Sequence, residues 1–170
     1  VLILGGGDGL AARELLKNRR IKKIDLIELD EKVVEVSKKF FRDILGRTFE
    51  DKRLNLIIGD AYKFVMEANE TYDGIITDLT SWKPEGERGR QVNRLYSLKF
   101  LKRLKSLLST KGVLVYQAGG GLLAMRKKLE EFKKKFKKVF PYVVGYAVLV
   151  PSYCEAWAFL AASKLKNQIK

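Results

Sequence analysis

Asp8 lies within a glycine-rich turn, Gly5-Gly6-Gly7-Asp8-Gly9, which follows the apolar run at residues 1–4 and precedes a helix-forming stretch at 10–17. A buried strand that breaks into such a turn and opens a helix brings backbone N–H groups close to a ligand. An acidic residue about 20 positions on, here Glu28, suits the hydroxyls of a ribose. This is the chemistry of a nucleoside site. A carboxylate inside the turn repels phosphate and favours a cation, so the ligand expected is a positively charged adenosyl compound rather than a dinucleotide.

Three more polar residues, Asp60, Asp78 and Gln117, also fall where short apolar runs end. Any one of them alone reads as a helix cap or turn residue. Together with Asp8 and Glu28 they mark successive strand ends, and in open α/β sheets the ligand binds beyond those ends, where strand order reverses. The sequence has no histidine, so proton transfer falls to carboxylates, lysine or tyrosine, and zinc chemistry is excluded; no metal site is expected. The single cysteine, Cys154, excludes an internal disulfide framework.

The elements that must position these residues follow from hydrophobic periodicity. Apolar runs at 1–4, 24–29, 54–58, 74–77, 112–118, 142–150 and 156–162 predict seven strands, and amphipathic stretches at 10–17, 31–44, 61–68, 98–108 and 122–135 predict helices between them. The alternation predicts a doubly wound, Rossmann-like α/β fold with a mostly parallel sheet covered on both faces. Only residues 151–155 separate the last two strands, too few for a helical crossover, so the final strand should run antiparallel. Asp30 is placed to cap the second helix, with Val33, Val34, Ser37 and Phe41 on one face. The segment 80–94 has no periodicity and reads as a loop over the same sheet edge, either a lid or an incidental insertion.

At 170 residues and 46% hydrophobic content the chain suits one domain, at 1–163, followed by a basic tail at 164–170 that should fray. No apolar run approaches the roughly 20 residues of a membrane span, and we read the protein as cytoplasmic, with no membrane partner. The sequence begins inside what reads as a central strand, without a signal-peptide pattern, so a preceding segment is expected. The net charge of +14 attracts anions. The lysine cluster at 126–138 reads first as a solvated face over a buried stripe of Leu129, Phe132 and Phe136. A nucleic-acid footprint is the less favoured reading, because no aromatic side chain is left to stack on bases.

Gly5-Gly6-Gly7-Asp8-Gly9, Glu28-Leu29-Asp30, Gly59-Asp60-Ala61, Asp78-Leu79-Thr80, Leu95-Tyr96-Ser97, Gln117 and Pro151-Ser152-Tyr153 occur in the order and spacing of the polyamine aminopropyltransferases, the spermidine synthase family, which this chain resembles from Val1 to about Ser163. The resemblance implies decarboxylated S-adenosylmethionine as donor and a small-molecule amine as acceptor. It assigns the glycines and Ala61 to the nucleoside, Asp8 to the donor's ammonium, Glu28 to the ribose, Asp60 to the adenine amine and Asp78 to catalysis. Gln117, Tyr153 and the position of Ser81 would face the acceptor. Family members usually carry Asp-Pro where this chain has Ser81-Trp82, which removes a carboxylate from the acceptor end and leaves the acceptor open. The resemblance also implies a homo-oligomer built through an N-terminal strand domain that this chain lacks. Two alternatives stand beside it: an S-adenosylmethionine-dependent methyltransferase, and a non-catalytic nucleoside-binding relative.

Overall fold

The computed structural model describes residues 1–80, 92–120 and 122–169 and, within them, all side chains except those of residues 122–128 and 153. Seven strands form one sheet: β1 (Leu2–Gly5), β2 (Ile24–Glu28), β3 (Leu54–Ile58), β4 (Tyr72–Asp78), β5 (Leu108–Gly119), β6 (Tyr142–Val150) and β7 (Glu155–Ser163). Their order is β3-β2-β1-β4-β5-β7-β6. The first five strands pair in parallel, and β7 runs antiparallel to both of its neighbours, β5 and β6. The expected seven strands and the reversed final one are therefore present.

The helices are α1 (Leu10–Leu16), α2 (Glu31–Phe40), α3 (Arg42–Leu45), α4 (Ala61–Glu67), α5 (Leu98–Leu107) and α6 (Leu122–Val139). Both α5 and α6 bury their apolar stripes, Phe100, Leu104, Phe132 and Phe136 among them, in one core with Leu2, Leu4, Ile75, Leu114 and Tyr116 of the sheet. A smaller cluster on the other face joins Ala12 of α1 to Ile3, Ile24 and Leu26. That second face is not covered to its edge, because Tyr142, Val144, Tyr146 and Val148 of β6 remain 36–48% exposed.

Two expectations need correction. The helix expected over 31–44 breaks at Phe41, whose ψ of 19° leaves the helical range. Just before the break, the buried Ser37 hydroxyl donates to Val33 O at 2.7 Å, a back-bond of the kind that bends helices. Asp30 does cap α2, accepting from Lys32 N at 2.9 Å, but only Val34 and Ser37 of the expected face are buried, with Val33 and Phe41 exposed. In the basic tail, Ser163 Oγ donates to Leu165 O, Lys164 Nζ donates to Leu108 O, and a one-turn 3-10 helix forms at Lys166–Gln168.

At the end of the sheet away from the carboxyl edge, Asp25 is 2% exposed within β2 and accepts from Asn55 Nδ2 at 2.8 Å and Tyr72 OH at 3.1 Å. Burial, and then the Asp25 charge, push the Tyr72 phenol above its ordinary range. The network ties β2 to β3 and β4 and holds the sheet from below.

Candidate active site

Strand order reverses beside β1, which pairs with β2 on one side and β4 on the other. Beyond the carboxyl ends of these strands lies a cleft of about 400 Å³, whose walls include Glu28, Asp60, Tyr62, Asp78, Arg94 and Leu95. Its volume falls within the usual range of small-molecule sites. Gly5 makes the central seam possible. It pairs with Asp78 across β1 and β4 at φ +81°, and a Cβ there would stand 2.1 Å from the Asp78 carbonyl oxygen. Any side chain would force the two strands apart where the site begins.

Glu28 organises the turn. Its Oε2 accepts from Gly7 N at 2.9 Å and its Oε1 from Asp30 N at 3.0 Å, so the carboxylate is fixed between the glycine turn and the start of α2. Asp8 accepts from Leu10 N at 3.0 Å at the opening of α1. It is absent from the cleft wall itself, but its charge reaches Asp78. Asp78 opens onto the cleft, while protein packed around its other sides desolvates it. That desolvation, followed by the negative charges of Asp8 and Glu28, raises its carboxyl above the ordinary carboxylate value. The negative charges gathered at this rim make a place for a cation, and Asp78 among them is tuned toward holding a proton.

At the opposite wall, Asp60 caps α4 by accepting from Lys63 N at 3.0 Å, and Ala61 lines the cleft beside it. The second Asp60 oxygen accepts from the Arg94 guanidinium, which also lies 4.8 Å from the centroid of the Tyr62 ring; Tyr62 in turn stacks on Phe100 at 5.5 Å. Arg94 and Tyr62 were not singled out in the sequence, although each adjoins a motif, one before Leu95-Tyr96-Ser97 and the other after Asp60-Ala61. Gln117 does not line the cleft. With its amide oriented to satisfy both ends, it donates to Leu79 O at 2.7 Å and accepts from Trp157 Nε1 at 2.8 Å, bracing the segment after β4 against β7. Trp157 thus has a structural partner and does not line the cleft. Ser81 and the rest of the segment through residue 91, part of the stretch read from the sequence as a lid or insertion, lie outside the described residues, as does the Tyr153 side chain. No cluster of metal-ligating side chains occurs among the described residues, and no helix among them is long and apolar enough to cross a membrane.

The model of the spermine/spermidine synthase domain family matches residues 1–170. This chain belongs to that family. The domain is 36% identical over 167 residues to a polyamine aminopropyltransferase of Sulfolobus acidocaldarius and 40% identical over 164 residues to one of Thermoplasma volcanium, covering 98% and 96% of the chain. A polyamine aminopropyltransferase of Clostridioides difficile is 37% identical over 173 residues. The chain spans 54%, 57% and 59% of the length of these three relatives. Among solved structures, a spermidine synthase in complex with the transition state analogue AdoDATO superposes on 99% of the chain with a TM-score of 0.82 and 25% identity, the chain covering 54% of it. The spermidine synthase of Thermotoga maritima gives 0.81. The fold and the family expected from the motifs are therefore those found.

Proposed function

We propose that this spermine/spermidine synthase domain transfers an aminopropyl group from decarboxylated S-adenosylmethionine to an aliphatic amine. The observation that carries the reading is the strand-end rim of Asp8, Glu28 and Asp78, where the charges of the first two reach Asp78 and favour a ligand bearing positive charge. The names of the relatives support the same assignment. Glu28, already oriented by Gly7 N and Asp30 N, takes the ribose. Asp60 and Ala61 meet the adenine, and Asp8 pairs with the donor's terminal ammonium. The decarboxylated donor is preferred because the extra carboxylate of S-adenosylmethionine would sit among like charges.

In the transfer, the acceptor nitrogen attacks the aminopropyl carbon bonded to the sulfonium. The C–S electron pair passes to sulfur, leaving neutral methylthioadenosine, and the new C–N bond forms with loss of a proton. An alkyl ammonium has a pKa near that of lysine, so presenting it as the free amine at pH 7 costs about 4–5 kcal/mol. Asp78, raised toward a proton-accepting value and open to the cleft, receives that proton or orients the neutral amine. Alignment of nitrogen, carbon and sulfur supplies most of the remaining acceleration. Gln117, Tyr153 and Ser81 belong to the acceptor side, with Gln117 acting through Leu79 and Trp157.

The test is release of methylthioadenosine from decarboxylated S-adenosylmethionine in the presence of a panel of amines. Amine-dependent release that Asp78→Asn abolishes is expected. Methyl transfer from S-adenosylmethionine, or nucleoside binding without turnover of any amine, would contradict the proposal.

A further inference from the structure

Charge is distributed unevenly over this molecule. Helices α5 and α6 carry twelve Lys and Arg residues against two carboxylates, Glu130 and Glu131, and so account for ten of the chain's fourteen net positive charges. The two helices pack on the same face of the sheet, so those of these residues whose side chains are described share one outer surface. Three of the cations serve the fold: Arg103 donates to Val65 O, Lys105 to Val139 O and Lys135 to Tyr96 O. Lys99, Lys102, Lys134, Lys137 and Lys138 are exposed, and among the described residues no ion pair uses a cation from either helix. Lysines that outnumber the carboxylates on adjoining helices repel one another, and a polyanion relieves that repulsion.

We infer that the outer face of α5 and α6 is a binding surface for the phosphate backbone of double-stranded nucleic acid, without sequence preference. An 18-residue helix such as α6 is about 27 Å long. Beside a duplex it would run past about 16 charges, at one per roughly 1.7 Å of axis. Phe100, Phe132 and Phe136 are buried beneath the lysines, so the described part of the surface has no stacking platform of the kind that single strands use. The same burial leaves no described apolar stripe to enter a lipid interface, which disfavours a membrane. The inference uses no residue of the cleft and stands whether or not the proposed reaction is correct.

Fluorescence anisotropy of a labelled, mixed-sequence 20-base-pair duplex tests it. Contacts from the five exposed lysines predict a slope of log K against log salt near −4.5, or about a 500-fold loss of affinity between 50 and 200 mM KCl. The triple variant Lys102→Gln, Lys134→Gln, Lys138→Gln should flatten the slope to about −2. The charge-matched control Lys22→Gln, Lys32→Gln, Lys52→Gln should leave it unchanged, with circular dichroism confirming that both variants fold. Equal flattening in both variants would overturn the surface in favour of undirected net charge. Undetectable duplex binding, or tighter binding to a single strand or to anionic vesicles, would overturn it as well.

Discussion

Gly7→Ala tests the glycine turn's role in holding Glu28 at the site. Gly7 does not have a positive φ, so alanine brings no backbone strain there, yet its Cβ would stand 2.5 Å from Glu28 Cγ and 2.7 Å from Glu28 Oε2. Ordinary contact begins at 3.4 Å, so the Glu28 side chain must retreat by about 0.9 Å. The 2.9 Å bond from Gly7 N to Oε2 does not survive that movement, and the carboxylate leaves the position in which it would accept the ribose hydroxyls. Loss of one charge-assisted hydrogen bond is worth about 1.5–3 kcal/mol, so affinity for methylthioadenosine should fall roughly 10- to 150-fold by calorimetry. Thermal stability should fall by no more than about 1–3 kcal/mol, the cost of leaving the buried Gly7 N–H without its carboxylate partner. Gly59→Ala is the internal control: its Cβ meets nothing within 4 Å, and affinity should be unchanged. If Gly7→Ala binds as tightly as the parent, Glu28 does not hold the ribose.

Asp78→Asn should abolish transfer and raise the melting temperature at pH 7, with the gain shrinking as the pH falls toward 4. The raised carboxyl binds its proton more tightly folded than unfolded, so its contribution to stability is full below the ordinary carboxylate pKa and is lost as pH rises through the elevated value. In the parent protein the acidic limb of the kcat/KM profile for the proposed transfer should lie above the ordinary range of an aspartate, and a limb at or below it would remove Asp78 as proton acceptor. Arg94→Ala frees the second oxygen of Asp60 for the base and should tighten methylthioadenosine binding up to about fivefold, the worth of a partly exposed ion pair; weaker binding would make Arg94 part of the base contact. Tyr72→Phe removes a donor from the buried Asp25 at about 1.5–3 kcal/mol, and calorimetric scanning should show the melting temperature lower by roughly 3–12 °C with methylthioadenosine affinity intact.

Most of the scaffold was legible because alternating strand and helix patterns leave few topologies, and because Asp8, Glu28, Asp60 and Asp78 sit where apolar runs stop. What escaped depended on contacts distant in sequence. Arg94 reaches Asp60 across 34 residues, and neither carries a local mark of the pairing. Asp25 lies in an apolar run that gave no sign of a buried carboxylate, because, apart from nearby Lys23, the partners that satisfy it, Asn55 and Tyr72, come from two other strands. Gln117 was placed at the right strand end, but its amide bridges Leu79 and Trp157, which strand pairing alone brings within reach. The helix break at Phe41 eluded periodicity because Ser37 fits a buried face as readily as it back-bonds to Val33.

The central claim, that the carboxylates at the strand ends select a cationic adenosyl donor carrying a free amine and no carboxylate, is tested most directly by the ratio of two dissociation constants. Calorimetric titration should show decarboxylated S-adenosylmethionine binding at least tenfold more tightly than S-adenosylmethionine, with Asp8→Asn collapsing the ratio toward one. Equal affinities in the parent protein, or a preference for S-adenosylmethionine, would contradict it.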